Sequence, residues 1–259
     1  MNYKTVDFKR YSSIHIGPIK NVFIIDEIGD FKDFQIIGRA NNLLISSNCK
    51  KKFAILGESF DYIKEENGLL YVGCATSSGK LLTYTRKNDI ANLEFLAKLP
   101  GNIGGLVKMN AGLKSWEIFN YLHSIKTKDG YIEKKDLDFS YRHTNIDSII
   151  FEAVFHIEKG FSKDMQNEFV KMRDNQPQIA SAGSCFKNPK GDFAGRLIEA
   201  VGLKGHRIGD MEFSNTHANF LVNHGNGTFE DAIHLIDLAK KKVKEEFNID
   251  LEEEIIIFK

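Results

Sequence analysis

The sequence predicts an α+β protein. Three observations carry that expectation. The first half is a series of short apolar runs broken by Gly- and Asn-rich turns, which reads as strands. After about residue 157 the apolar residues recur at helical spacing instead. No regular βαβ alternation links the two parts and no GxGxxG follows a strand, which argues against a Rossmann domain. The chain has 259 residues, 42% hydrophobic and 27% charged, as in ordinary globular proteins and unlike disordered or fibrous ones.

In chain order, residues 34–37 form a strand that enters the turn Gly38-Arg39-Ala40-Asn41-Asn42 and leaves as a second strand from Leu43. Residues 53–56 and 69–72 are further strands, the latter preceded by the turn signal Asn67-Gly68. Residues 78–90 and 93–99 read as short helices around a connector. Asp129-Gly130 marks a hairpin over 126–135, and 149–155 is another apolar strand. A helix follows over 161–174. Phe193, Leu197, Ile198 and Val201 share one helical face, with Gly202 as the stop. The clearest helix starts at Thr228: Phe229, Ala232, Ile233, Ile236, Ala239, Val243 and Phe247 make an apolar face, and Thr228 with Asp231 resembles a capping box. Residues 250–258 read as a final strand, whose alternation would put Glu252 and Glu254 on one face and Glu253 on the other.

Lys+Arg and Asp+Glu are both 35, so the chain lacks the electrostatic footprint of a nucleic-acid binder. Its two Lys runs, at 50–52 and 240–242, have acidic neighbours and read as solvated faces. Three Cys are too few for a disulfide scaffold and sit at no metal-finger spacing. The N-terminus lacks the apolar core of a signal peptide, and no apolar run approaches the roughly 18 residues of a membrane span. A reducing, cytoplasmic setting is expected.

Six segments carry candidate chemistry. Residues 100–112 hold four Gly and two Asn in thirteen positions, a density that lets backbone approach a ligand and that can form an anion nest; a tight turn is the plainer alternative. The 38–42 turn has the same potential in weaker form. Arg142, after Tyr141, is one of only seven Arg against 28 Lys, and a guanidinium is the group suited to grip a carboxylate; an ordinary ion pair is the alternative. Ser184 lies among small residues with Lys187 and Asn188 nearby, placed to protonate a strong carbanionic base or simply to cap a turn. Its neighbour Cys185 has no assignable base and reads as packing. Among Glu252, Glu253 and Glu254, one inward acid is the sharp reading and three solvated acids the plain one. His217 and Asn219 read as residues that tie a loop to backbone.

Taken in order, these segments resemble the UDP-N-acetylenolpyruvoylglucosamine reductase family. Residues 11–17 resemble its TTFRIGG segment and 38–44 its GxGSNLL. Residues 100–112 match PGxxGGxxxMNAG, Tyr141-Arg142 resembles YRxS, and 182–189 match AGSxFKNP. Residues 197–205 and 217–223 match two later blocks, and 251–255 resemble the closing LExEV.

The resemblance implies a PCMH-like FAD-binding module of two subdomains, 1–50 and 51–156, followed by an α+β substrate-binding domain, 157–259. It implies FAD as cofactor, NADPH as co-substrate and reduction of the enolpyruvyl group of UDP-N-acetylglucosamine enolpyruvate in peptidoglycan precursor synthesis. It casts Ser184 as proton donor and Arg142 and Glu254 as stabilisers of developing charge. Gly38, Arg39, Ala40, Asn41, Asn42 and Leu43, with Pro100, Gly101, Gly104, Gly105, Asn110, Ala111 and Gly112, would hold FAD. Tyr141, Lys187 and Asn188 would contact substrate. The resemblance is taken to imply hydride at the ether-bearing carbon and charge on the methylene; hydride at the methylene, with charge beside the carboxylate, is the alternative. A monomer without metal is expected. Ala40-Asn41 departs from the family's Gly-Ser, Thr144 replaces a Ser, and no aromatic lid insertion is seen, so the chain reads as a short form. The alternatives are another FAD-dependent oxidoreductase on the same scaffold, or a nucleotide-sugar binder without flavin.

Overall fold

Apolar strands with one solvated face need partners, and in the computed structural model, which describes residues 2–259, they find them in two compact units. One unit comprises residues up to 4, 22–38 and 52–174; the other comprises 5–21, 39–51 and 175–259.

In the first unit, Phe34–Ile36 and Ile19–Ile25 flank Lys52–Leu56 in parallel. A five-stranded antiparallel sheet runs in the order Gly130–Glu133, Leu122–Thr127, Glu152–His156, Leu69–Gly73, Ile63–Glu66. Asn67 and Gly68 both take positive φ (51° and 76°), as a tight type I′ hairpin requires. In the other hairpin Thr127 pairs with Gly130, so the turn residues are Lys128 and Asp129 and Gly130 already belongs to the returning strand. The apolar faces close over Leu70, Val72, Phe95, Ile103, Phe119 and Phe155. Ser77 caps the Ser78–Lys87 helix and Ser162 the Lys163–Met172 helix. The expected helix at 93–99 is only a 3-10 turn, Glu94–Leu96.

The second unit holds an antiparallel sheet in the order Ser181–Ser184, Phe220–Asn223, Met211–Phe213, Arg207–Ile208. Ile256–Phe258 pairs in parallel with Leu43–Ile45. The Phe229–Phe247 helix has the full capping box, Thr228 Oγ1 taking the Asp231 N–H and the Asp231 carboxylate taking the Thr228 N–H. Asn248 closes it in the left-handed conformation. Its buried face is Ala232, Leu235, Ile236, Ala239 and Val243. The final strand begins only at Ile256. Glu253 makes a single bridge to Phe186, so regular alternation does not order the three acids. Lys187 and Lys240 draw Glu252 and Glu253 away separately.

Candidate active site

In the first unit the 100–112 loop opens at Gly101, forms the short Ile103–Lys108 helix and returns through Asn110 at φ +44°. Asn110 is fully buried and its side chain is spent inside the protein. Nδ2 donates to Glu117 Oε2 at 2.9 Å and to the Ser140 carbonyl at 3.0 Å, and Oδ1 accepts from the Phe119 N–H at 3.3 Å. A Cβ at Gly112 would come within 2.1 Å of the Trp116 carbonyl oxygen, so only glycine fits. The carbonyls of Asn110 and Gly112 accept from Arg142, at 3.2 Å from Nη1 and 2.9 Å from Nη2. Glu117 lies 3.5 Å from Nη1, and the guanidinium stacks 4.8 Å from the Tyr141 ring centroid. Two motifs far apart in sequence therefore meet, and the MNAG turn acts as the frame that aims Arg142.

A cavity of about 700 Å³ opens in the same unit, within the range of small-molecule clefts, roughly 300–1,000 Å³. Gly38, Asn102, Gly104 and Gly105 line it, with Phe31 and Lys108. Gly104 lies so close to Cys74 that a Cβ would sit 3.0 Å from that residue's own. The Asn102 Oδ1 is buried without a partner, an acceptor that a ligand donor would satisfy. Burial pushes the Lys108 ammonium down, with Asp147 opposing, and its Nζ donates to the Ile146 carbonyl. Pro100, Gly101, Asn110, Ala111 and Gly112 do not line this cavity among the described residues.

In the second unit Ser184 ends the Ser181–Ser184 strand, opposite Phe220. Asn219, buried, fixes the turn that follows: its carbonyl takes the Cys185 N–H, its Oδ1 the Phe186 N–H, and its Nδ2 donates to the Phe186 carbonyl. The Cys185 carbonyl accepts from the Glu254 N–H at 2.9 Å, and Asn42 Nδ2 donates to the Glu254 carbonyl at 2.8 Å. Ser184 and Glu254 are thus coupled through one residue of backbone, with Asn42 clamping the far side. Among the described residues no hydrogen bond engages the Ser184 hydroxyl. The Cys185 thiol is buried; burial, then Glu253 and Glu254, push it up and keep it protonated, as its reading as packing expects.

Lys187 pairs with Glu252 at 2.5 Å, and Asn188 Oδ1 takes the Ala194 N–H at the start of the Ala194–Ala200 helix. His217 is pushed down by burial and packs edge-to-face on Phe220. Its Nδ1 takes the Asn219 N–H, so it ties the loop as expected. Ala40 sits at φ +51° and is 2% exposed. An alanine here holds a left-handed position that glycine fills without strain. Its carbonyl and that of Asn41 accept from Ser13, a partner that sequence reading missed.

Residues 175–258 match the family described as UDP-N-acetylenolpyruvoylglucosamine reductase, C-terminal domain. The protein named UDP-N-acetylenolpyruvoylglucosamine reductase in Helicobacter hepaticus is 46% identical over 262 residues, covering 99% of each chain. This chain belongs to the UDP-N-acetylenolpyruvoylglucosamine reductase family. The Campylobacter jejuni (strain RM1221) reductase is 48% identical over 257 residues, covering 97% of this chain and 99% of its own. The crystal structure of the Thermus caldophilus reductase (MurB) aligns with a TM-score of 0.86 and 27% identity over the whole of both chains. The expected family and the α+β class are both borne out, and these reductases share the compact length.

Proposed function

We propose that the chain reduces the enolpyruvyl group of UDP-N-acetylglucosamine enolpyruvate to UDP-N-acetylmuramate, a step of peptidoglycan precursor synthesis. The observation that carries this is the backbone clamp joining Ser184 to Glu254 in a chain 46% identical to a named reductase over its full length. A donor hydroxyl not engaged elsewhere and a charge-stabilising acid are what the saturation of a polarised double bond needs.

FAD fits the first unit. The cavity is large enough, Gly38, Gly104 and Gly105 remove side chains from its wall, and the orphaned Asn102 Oδ1 and the Lys108 ammonium supply an acceptor and a cation. When bound, flavin takes two electrons from NADPH and supplies them as hydride. NADPH, one proton and substrate then balance NADP⁺ and the lactyl ether product.

The electronics favour the reverse of the regiochemistry implied by resemblance. The double bond is conjugated with the carboxylate. Hydride at the methylene leaves charge on the carboxylate-bearing carbon, where its oxygens share the charge; hydride at the other carbon leaves an unstabilised primary carbanion. The Arg142 guanidinium is assigned to the carboxylate and Glu254 to the same developing charge. Ser184 delivers the proton to the carboxylate-bearing carbon. Tyr141, Lys187 and the amide of Asn188 are assigned to the nucleotide-sugar.

The FAD-binding subdomains are assigned to 1–50 and 51–156 and the substrate-binding domain to 157–259. The residues lining the cavity fall before 156, and Ser184, Lys187, Asn188 and Glu254 after it. The remaining loop residues, Arg39 to Leu43 among them, are assigned to FAD by motif alone. The setting is a cytoplasmic monomer without a nucleic-acid partner; among the described residues no helix is long and apolar enough to cross a membrane. The test is NADPH consumption with and without the enolpyruvyl nucleotide, followed with the visible flavin spectrum. Substrate-dependent oxidation by a yellow protein is expected. A colourless protein that cannot be reconstituted with FAD would make the chain a nucleotide-sugar binder.

A further inference from the structure

A second pocket, of about 420 Å³, opens in the first unit. It shares no lining residue with the cavity of about 700 Å³. None of the residues assigned above to flavin, proton transfer or the nucleotide-sugar lines it. Its floor is apolar: Leu122 and Leu137 are buried, and Phe139 is 39% exposed. The walls are held from behind. Phe139 packs on Phe119 with ring centroids 4.5 Å apart. The next carbonyl, that of Ser140, accepts from Asn110 Nδ2, and the Phe119 N–H donates to Asn110 Oδ1. Asn120, also on the wall, donates from Nδ2 to the Ser115 carbonyl. Walls fixed in this way stand before anything enters, as those of small-molecule sites do.

The charge of the pocket is unbalanced toward the positive. Glu133 is the one carboxylate among its lining residues, and Lys135 takes it at 2.8 Å. Lys134 has no carboxylate partner among the described residues. Its Nζ lies 5.7 Å from the Phe139 ring centroid and 3.4 Å from the Asn120 carbonyl, which is a weak hold. The imidazoles of His123 and His156 meet edge to face, 5.1 Å between centroids. Ser124 Oγ lies 3.0 Å from His123 Nδ1; with that hydroxyl as donor, the ring hydrogen is on Nε2. Three nitrogen donors on separate stems, with no guanidinium fork among them, suit a tetrahedral anion better than a flat one, because each can take a different oxygen. We propose that this pocket is a second ligand site, for a phosphate group, with Lys134, His123 and His156 on its oxygens and Leu122, Leu137 and Phe139 beneath any organic part. Free phosphate and a phosphate monoester share that chemistry.

The test is an NMR titration of FAD-loaded protein carrying isotope-labelled histidine rings. The probes are inorganic phosphate and phenyl phosphate, with UDP-N-acetylglucosamine present in excess to fill the nucleotide-sugar site. The His123 and His156 ring signals, assigned from His123→Gln and His156→Gln, are expected to move together and to saturate. Lys134→Gln should weaken that binding at least tenfold and leave the KM for the enolpyruvyl nucleotide at its wild-type value. His156→Gln, at an exposed position, should weaken it as well, read from the His123 ring. Tighter binding of phenyl phosphate makes a monoester the occupant; equal binding of the two probes makes it free phosphate. Signals that do not saturate in millimolar probe overturn the proposal. So do variants that bind both probes as wild type does. An equal response to chloride at matched ionic strength overturns it too, since that is screening alone. The result stands apart from the reading of function given above, because these signals report the pocket itself, whereas that reading fails in wild-type protein if NADPH oxidation does not depend on the enolpyruvyl nucleotide.

Discussion

Arg142 is held by geometry as much as by charge. Two carbonyls, from Asn110 and Gly112, set its guanidinium plane, and its own backbone takes the left-handed conformation at φ +55°. A Lys ammonium is a point charge that cannot bridge both carbonyls in one plane and still present a flat edge. Arg142→Lys is therefore expected to lower kcat on the order of 100-fold, with UDP-N-acetylglucosamine binding unchanged; steady-state kinetics and a binding titration check both halves. In sequence, Arg142 was visible through its rarity and its YR motif. The MNAG turn was legible as important, but its task was not. The Asn110 side chain is hydrogen-bonded to Glu117, Ser140 and Phe119.

Among elements, those governed by local chemistry were the legible ones. The Thr228–Asp231 box, the Asn67-Gly68 turn and the Ser162-capped helix follow from residues within a few positions of one another. Thr228→Ala is expected to cost about 1 kcal/mol, seen as a melting point roughly 2–4 °C lower, with activity unchanged. The closing segment was harder, because Glu253 bridges to Phe186 and Glu254 leans on Cys185. Those long-range bonds replace the regular strand that alternation implied. Asn219 belongs to the same set: it looked structural in sequence, and it is, but what it supports is the turn behind Ser184. Asn219→Ala would leave the Phe186 N–H and carbonyl unpaired in a buried place, costing roughly 1–3 kcal/mol. Turnover should fall with it, because the Cys185 carbonyl that seats Glu254 shifts too. Normal kinetics in a destabilised variant would separate the turn from catalysis.

Across the whole molecule, the motif order carried family and reaction class, while the composition shift near residue 157 described only part of the organisation. Each compact unit is drawn from three stretches of chain, and the Lys163–Met172 helix lies in the unit that also contains the cavity-lining residues. Contacts between distant stretches decide this, and no local pattern announces them. Zero net charge leaves room for local cations: Lys108 lines the cavity, and Arg142 is held on the carbonyls of Asn110 and Gly112. The central claim is that Ser184 supplies the proton when substrate is reduced and does nothing before that. Anaerobic stopped-flow of Ser184→Ala tests it by separating the two half-reactions. Flavin reduction by NADPH should match wild type, and reoxidation by the enolpyruvyl nucleotide should slow by about 100-fold or more. Reoxidation at the wild-type rate would contradict the account.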